Sequence, residues 1–202
     1  MTSADERSSN QKKHESTNPI QRRLIDNFHA QAVRMVGLAD PSSILELGCG
    51  EGYVLEALHS GGVRAELHGV ELDGKAVAKA QARLGTHADV QKQDARKLAA
   101  DGRSFDMVMM LEVLEHIPEP EQMLPIIESL SNEWLLLSVP WEPVFCALNF
   151  MRGKNLRRWG NDEDHVNHWT RRGFAQFIGA HFEIVERPGA FPWTMILARK
   201  RG

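Results

Sequence analysis

The chain has 202 residues, 42% of them hydrophobic, with a formal net charge of -3 and a sequence pI near 6.3. That length and apolar content are enough for one full core. The acidic balance excludes a surface that attracts phosphate backbones or anionic membranes over its whole extent, leaving room only for a local basic patch.

The cysteines, Cys49 and Cys146, have neither disulfide nor zinc spacing, which suits a reducing compartment. No apolar run is long enough to span a bilayer, and "MTSADERSSNQKKHEST" lacks the apolar segment of a signal peptide, so a cytoplasmic setting is expected. Residues 1–17 are nearly all polar or charged and are expected to be a mobile tail, because they bury too little surface to offset their ordering entropy. Residues 18–202 are expected to form a single domain.

From Asn18-Pro19 the apolar positions Ile20, Leu24, Phe28, Val33, Val36 and Leu38 recur at helical spacing, which predicts an amphipathic helix ending near Asp40-Pro41 and packing on the core as a lid. The pattern then predicts strand over 43–47, helix over 53–60, strand over 65–71, helix over 74–84 and strand over 87–91. A strand over 105–111, a helix over 121–131, a strand over 134–139 and a helix over 170–181 follow, then closing strands over 182–187 and 192–199. Alternation of this kind predicts parallel strands linked by right-handed crossover helices. The closing strands are joined by "PGA", which only a hairpin can use, so the sheet is mostly parallel with an antiparallel strand at its end. Residues 140–168 are too long for an ordinary connector and are read either as a substrate cover, with Trp141, Phe145, Leu148, Phe150 and Met151 as apolar floor and Arg152, Lys154, Arg157 and Arg158 as basic mouth, or as a short packed helix with a solvated positive end.

"ILELGCGEGYVLEAL", residues 44–58, runs from an apolar strand through Gly48, Gly50 and Gly52 into a helix, where glycines let the backbone turn sharply and approach a ligand. Glu71 ends the next strand roughly twenty residues on, where a carboxylate can accept from both ribose hydroxyls. Asp94, after the third strand, can accept from an adenine amino group while the Ala95 N–H donates to the ring. Nicotinamide and sulfonium cofactors compete for this pattern. The loop reads G-x-G-x-G, not G-x-G-x-x-G, and carries Glu46 and Glu51; that negative charge disfavours a pyrophosphate and suits a sulfonium bearing an ammonium group.

"LELGCGEG", "VELD", "QDA" and "FDMVMMLEVLEHIPEP" together resemble the successive motifs of class I S-adenosylmethionine-dependent methyltransferases, over residues 43–200 in order. The resemblance implies an α/β, Rossmann-like, doubly wound sheet of seven strands with an antiparallel last strand, in agreement with the elements above. It also implies a cofactor pocket of Glu46, Gly48, Cys49, Gly50, Glu71, Leu72, Asp94, Ala95, Leu111 and Glu112.

If the turn after the fourth strand is helical, Glu112 lies near Glu115 and His116 at i+3 and i+4, so that the three converge. Such a set suits manganese, iron or zinc, with a fourth ligand from His165 or His168 in "DEDHVNHWT". "EVLEH" is similar to the motif of ubiquinone-pathway O-methyltransferases and to that of small-RNA 2′-O-methyltransferases, in which two glutamates and two histidines hold a divalent ion. Against the RNA family's D-H-x-F-E-W-T, "DHVNHWT" keeps Asp164, His165, Trp169 and Thr170 and departs at Asn167 and His168, which favours His165 as the fourth ligand. Without a metal, His116 or His165 is the candidate catalytic base. The same "LEHIPEP" also suits methyltransferases without a metal, where Glu115 and His116 merely begin a helix.

The resulting expectation is methyl transfer from S-adenosylmethionine to an oxygen of a small-molecule acceptor rather than RNA, by a monomer or homodimer. A cofactor-binding regulatory protein without transferase activity is the alternative from another class.

Overall fold

A computed structural model of the chain describes Gln11, His14, residues 16–142, Val144 and residues 166–201. Helix α1 (Pro19–Ala39) starts where the Asn18 side chain accepts from the N–H groups of Ile20 and Gln21 at 3.0 and 3.3 Å, with Pro19 in the first turn. It stops where Asp40 turns left-handed (φ 47) and donates its N–H to the Val36 carbonyl at 2.8 Å. The stripe that α1 buries is Ile25, Phe28, Ala32, Met35 and Val36. Ile20 and Leu38, expected on that stripe, are 67% and 56% exposed, because they stand at helix ends that overhang the core.

Beyond α1 the order is β1 (Ser43–Leu47), α2 (Tyr53–Ser60), β2 (Glu66–Glu71), α3 (Gly74–Leu84), β3 (Asp89–Lys92), α4 (Ala95–Ala100) and β4 (Phe105–Leu111). Two 3₁₀ turns (Leu114–His116 and Pro120–Met123) lead into α5 (Leu124–Leu130), β5 (Ser131–Pro140), α6 (Arg171–His181), β6 (Glu183–Glu186) and β7 (Trp193–Arg199). Helix α4, started by the Asp94 cap, is an addition to the expected elements. The single helix expected over 121–131 is a 3₁₀ turn followed by α5, with Pro120 and Pro125 each in a first turn.

Among the described residues the strands form one seven-stranded sheet in the order β3-β2-β1-β4-β5-β7-β6. β7 is antiparallel to both neighbours and every other pairing is parallel. The antiparallel strand is last in the chain but lies inside the edge, between β5 and β6. Burial explains the choice: "WTMILA" of β7 is buried at every position, whereas β6 is only partly covered, so the more apolar strand of the hairpin takes the inner place.

Alternation along β4 sends Met107, Met109 and Leu111 to the face covered by α1, α2 and α3, and Val108 and Met110 to the face covered by α4, α5 and α6. Phe174 and Ile178 of α6 are fully buried on the second face, each contributing roughly 1.5–3 kcal/mol by area removed from water. Strand order reverses between β1 and β4, so a crevice opens at the C-terminal ends of those two strands, where open α/β sheets bind ligands.

Gln11 and His14, within the segment expected to be mobile, are helical. His14 stacks between Tyr53 and His29 with ring centroids 4.0 and 5.3 Å away, and Gln11 accepts from Lys79 Nζ at 3.0 Å. Most of the expected substrate cover lies outside the described residues, including Cys146, the basic residues Arg152, Lys154, Arg157 and Arg158, and His165.

Candidate functional site

The loop after β1 is pinned from below. Gly48 and Cys49 donate their N–H groups to the Val70 carbonyl at 2.8 and 3.2 Å, and Gly52 donates to the Cys49 carbonyl at 2.9 Å. Gly50 donates to Oε2 of Glu71 at 3.1 Å. These loop N–H groups are thus engaged within the protein and not available to a pyrophosphate, which agrees with the sulfonium reading of the loop. Gly48 (φ 72) could carry a side chain only by colliding with Val113, whose Cγ2 would lie 2.7 Å from the added Cβ. The residue after Glu112 therefore packs directly on the glycine turn.

Glu46 is the electrostatic centre. It is 2% exposed, its buried Oε2 has no hydrogen-bond partner among the described residues, and burial together with the Glu71 carboxylate pushes its pKa up to about 8. A buried carboxyl without a partner is costly, and a cationic ligand group would relieve that cost. Glu51, read with Glu46 as loop charge, faces away: it is buried beneath α3 and paired with Lys79 at 2.8 Å. Arg83 of α3 donates to the Glu51 carbonyl at 3.0 Å and lies over the Tyr53 ring at 3.8 Å, so α3 buttresses the loop from behind.

Cys49, expected in the cofactor pocket, turns its side chain inward against Gly69, where an added Cβ would meet Sγ at 2.8 Å. Burial, Glu46 and Glu71 push its thiol above the usual thiol range. What the residue gives to the loop is backbone. Glu71 accepts at Oε1 from Leu72 and Asp73 at 2.7 and 3.0 Å, and Leu72 is 65% exposed beside it. Asp94 accepts from the Arg96 N–H at 2.8 Å as the α4 cap, with Ala95 the first helical residue. Strand by strand, Asp94 and Ala95 follow β3, Glu71 and Leu72 close β2, the glycine loop follows β1, and Leu111 and Glu112 close β4, so the proposed cofactor residues lie along one sheet edge. An elongated ligand with a cationic end at Glu46 and a hydroxylated, heteroaromatic end toward β3 fits this donor set.

The three acidic and histidine positions after β4 do not share one helical turn. Glu112 is left-handed (φ 59), donates its N–H to the Ser138 carbonyl at 3.1 Å and accepts from the Ser138 hydroxyl at 2.9 Å. The 3₁₀ turn starts only at Leu114, so Glu112 is not one helical turn from Glu115 and His116. Glu115 is buried at 1% exposure and His116 is exposed. Among the described residues no group of three or more His, Cys, Asp or Glu is placed to hold a metal ion; His165 lies outside them.

The structure adds residues that the motifs did not mark. Val166 and Asn167 donate their N–H groups to the Glu115 carbonyl at 2.9 and 3.1 Å, and the Asn167 amide donates to the carbonyls of Leu114 and Ile117. Buried Glu142, two residues past β5, donates its N–H to the Trp169 carbonyl at 3.2 Å and faces His168. The only sequence signal was an acidic residue between two prolines in "VPWEP".

A doubly wound seven-stranded sheet with β7 inserted antiparallel, and acidic residues on successive strand ends around a glycine loop, define a class I S-adenosylmethionine-dependent methyltransferase. The chain belongs to the methyltransferase domain family, which it matches over residues 18–186. It is 29% identical over 127 residues to the ubiquinone biosynthesis O-methyltransferase of Nitrosomonas europaea, an alignment covering 60% of this chain and 50% of that protein. It is 38% identical over 89 residues to the enzyme of the same name from Azoarcus sp., covering 42% and 37%. The chain thus spans about half the length, or less, of these curated relatives. In fold it is similar to the N-methyltransferase NodS of Bradyrhizobium japonicum bound to S-adenosylhomocysteine, with a TM-score of 0.68 at 19% identity, covering 96% of this chain and 94% of that one. It is also similar to magnesium protoporphyrin IX methyltransferase of Synechocystis, with a TM-score of 0.67 at 19% identity, covering 91% and 88%. Among the described residues no helix is long and apolar enough to cross a membrane.

Proposed function

We propose that the protein methylates an oxygen of a small-molecule acceptor. The observation that carries the cofactor end is the buried Glu46 carboxyl beside the glycine loop, whose Oε2 has no hydrogen-bond partner among the described residues and suits a cationic ligand group. The likeness to proteins named ubiquinone biosynthesis O-methyltransferases supports oxygen as nucleophile.

S-adenosylmethionine supplies a methyl carbon that is already electrophilic, so the protein's contribution is mainly orientation. Glu46 binds the ammonium group, Glu71 the ribose hydroxyls, and Asp94 with the Ala95 N–H the adenine; Leu72 offers an exposed apolar side chain alongside. Glu112, held left-handed against Ser138, presents the end of β4 to the reacting region. The reading includes a cytoplasmic setting, in which the free thiol of Cys49 stays reduced, and a monomer or homodimer.

Calorimetry with S-adenosylmethionine and S-adenosylhomocysteine, followed by labelled-methyl transfer to a panel of phenols, catechols and aliphatic alcohols, tests the reading. Binding with transfer to a hydroxyl supports it. Binding with label appearing only on amines, or only on short RNA with or without manganese, would overturn it, and binding without any transfer would favour a regulatory role.

A further inference from the structure

The sheet edge continues beyond Glu112. Glu142 follows β5, the strand next to β4 on the side away from the adenosine-binding ends of β2 and β3. Its side chain is 6% exposed, and its Oε2 lies 3.7 Å from Nδ1 of His168, whose side chain is 47% exposed. Both partners are held by backbone. Glu142 is tied to Trp169, and Val166 and Asn167 are tied to the turn after β4, so His168 is set between anchored neighbours. Among the described residues Glu142 is the one ion-pair partner of His168. A carboxylate facing Nδ1 favours the proton on that nitrogen and leaves the lone pair of Nε2 pointing outward. The 3.7 Å separation exceeds a hydrogen bond, as catalytic pairs often do before substrate binds.

We propose that His168, oriented by Glu142, is the general base that takes the proton from the acceptor hydroxyl; the inference rests on the O-methylation reading. The acceptor O–H bond breaks as the oxygen–carbon bond to the methyl forms, the carbon–sulfur pair stays with sulfur, and the proton goes to Nε2. The imidazolium that results is stabilised by the Glu142 carboxylate and returns its proton to water. A phenol or catechol suits this base, because phenols ionise near pH 10 and imidazoles near neutrality, a gap that proton transfer in the transition state spans. The walls nearby are aromatic: Trp141 lies under the Arg171 guanidinium at 4.1 Å and meets Phe191, which is 42% exposed, edge-on at 6.3 Å.

The test has two arms. Long-range ¹H–¹⁵N correlation spectra of the protein should show neutral His168 with its proton on Nδ1, and Glu142→Gln should shift the tautomer population toward Nε2–H. Finding Nε2–H in the wild type, or a population indifferent to Glu142→Gln, overturns the orientation. In methyl transfer to 3,4-dihydroxybenzoate, His168→Ala and His168→Gln should lower kcat by roughly 10²- to 10⁴-fold with S-adenosylhomocysteine affinity within twofold of wild type. Glu142→Gln should lower kcat less than either His168 variant does. Retention of kcat within threefold in both His168 variants overturns the base. If the wild type methylates no hydroxyl compound, the O-methylation reading fails and the base with it, while the spectra still decide whether Glu142 orients His168.

Discussion

The N–H of Gly50 donates to Oε2 of Glu71, 21 residues further along the chain, at 3.1 Å. The carboxylate read as a ribose ligand is therefore also a clamp on the glycine loop, and its other oxygen holds the N–H groups of Leu72 and Asp73. One side chain thus sets the shape of two strand ends that meet at the same crevice.

Replacing Glu71 should consequently cost more than a single ligand contact. Hydrogen bonds to a charged group contribute about 1.5–3 kcal/mol each, so Glu71→Ala should weaken S-adenosylhomocysteine binding at least about tenfold. Glu71→Gln, which keeps an acceptor oxygen, should fall between it and wild type by calorimetry. An affinity unchanged in Glu71→Ala would remove the residue from the site.

If Glu46 holds the ammonium group as proposed, cofactor binding should be proton-linked. With its pKa raised to about 8 by burial and Glu71, it is mostly protonated at pH 7, whereas a ligand ammonium group favours the ionised form. Affinity should rise with pH up to about 8 and level off above it, with close to one proton released on binding at pH 7. Titrations in buffers of different ionisation enthalpy measure that release, and Glu46→Gln should abolish it. The same shift has a stability consequence of opposite sense. Because the folded protein holds this proton from the ordinary carboxylate value of 4.5 up to about 8, the contribution of Glu46 is fully present below that window and is lost as pH rises through it, at about 1.4 kcal/mol per pH unit at most. Glu46→Gln should flatten the denaturation midpoint across that range.

Gly48→Ala should damage fold and site together. The position has φ 72, and the new Cβ would sit 2.7 Å from Val113 Cγ2. The left-handed backbone alone costs roughly 1–2 kcal/mol with a side chain. Thermal unfolding should shift down by several degrees, and cofactor affinity should fall by more than the stability loss explains. A companion change, Val113→Ala, should recover part of the stability by making room.

Cys49 should be chemically silent in the native protein. It is 7% exposed, and burial with two nearby carboxylates suppresses the thiolate that reacts. In a Cys146→Ser background, a thiol reagent at pH 8 should label Cys49 only under denaturing conditions. Fast native labelling would contradict the packing of Sγ against Gly69.

The strand ends were legible in the sequence wherever a local rule governs them. β1, β4, α2 and α3 occupy the residues that period and glycine placement predict, because an apolar alternation or a capped amphipathic turn is decided by neighbours a few residues apart. The buried face of α1 was not, since Ile20 and Leu38 are as apolar as Ile25 and Met35 and only the extent of the sheet beneath selects among them. The same holds for Glu46 and Glu51. Both are acidic residues at the glycine loop, yet Lys79 pairs with one while Oε2 of the other has no hydrogen-bond partner among the described residues, a difference set by where α3 docks.

By itself, then, the sequence determined the α/β alternation, the glycine loop and the acidic residues at successive strand ends, all properties of short-range spacing. Tertiary structure decided the rest: that β7 enters between β5 and β6, that Glu112 is left-handed and tied to Ser138, and that His168 meets Glu142. Those outcomes depend on contacts between residues far apart in the chain, and their free energies arise only when the sheet brings the strand ends to one edge.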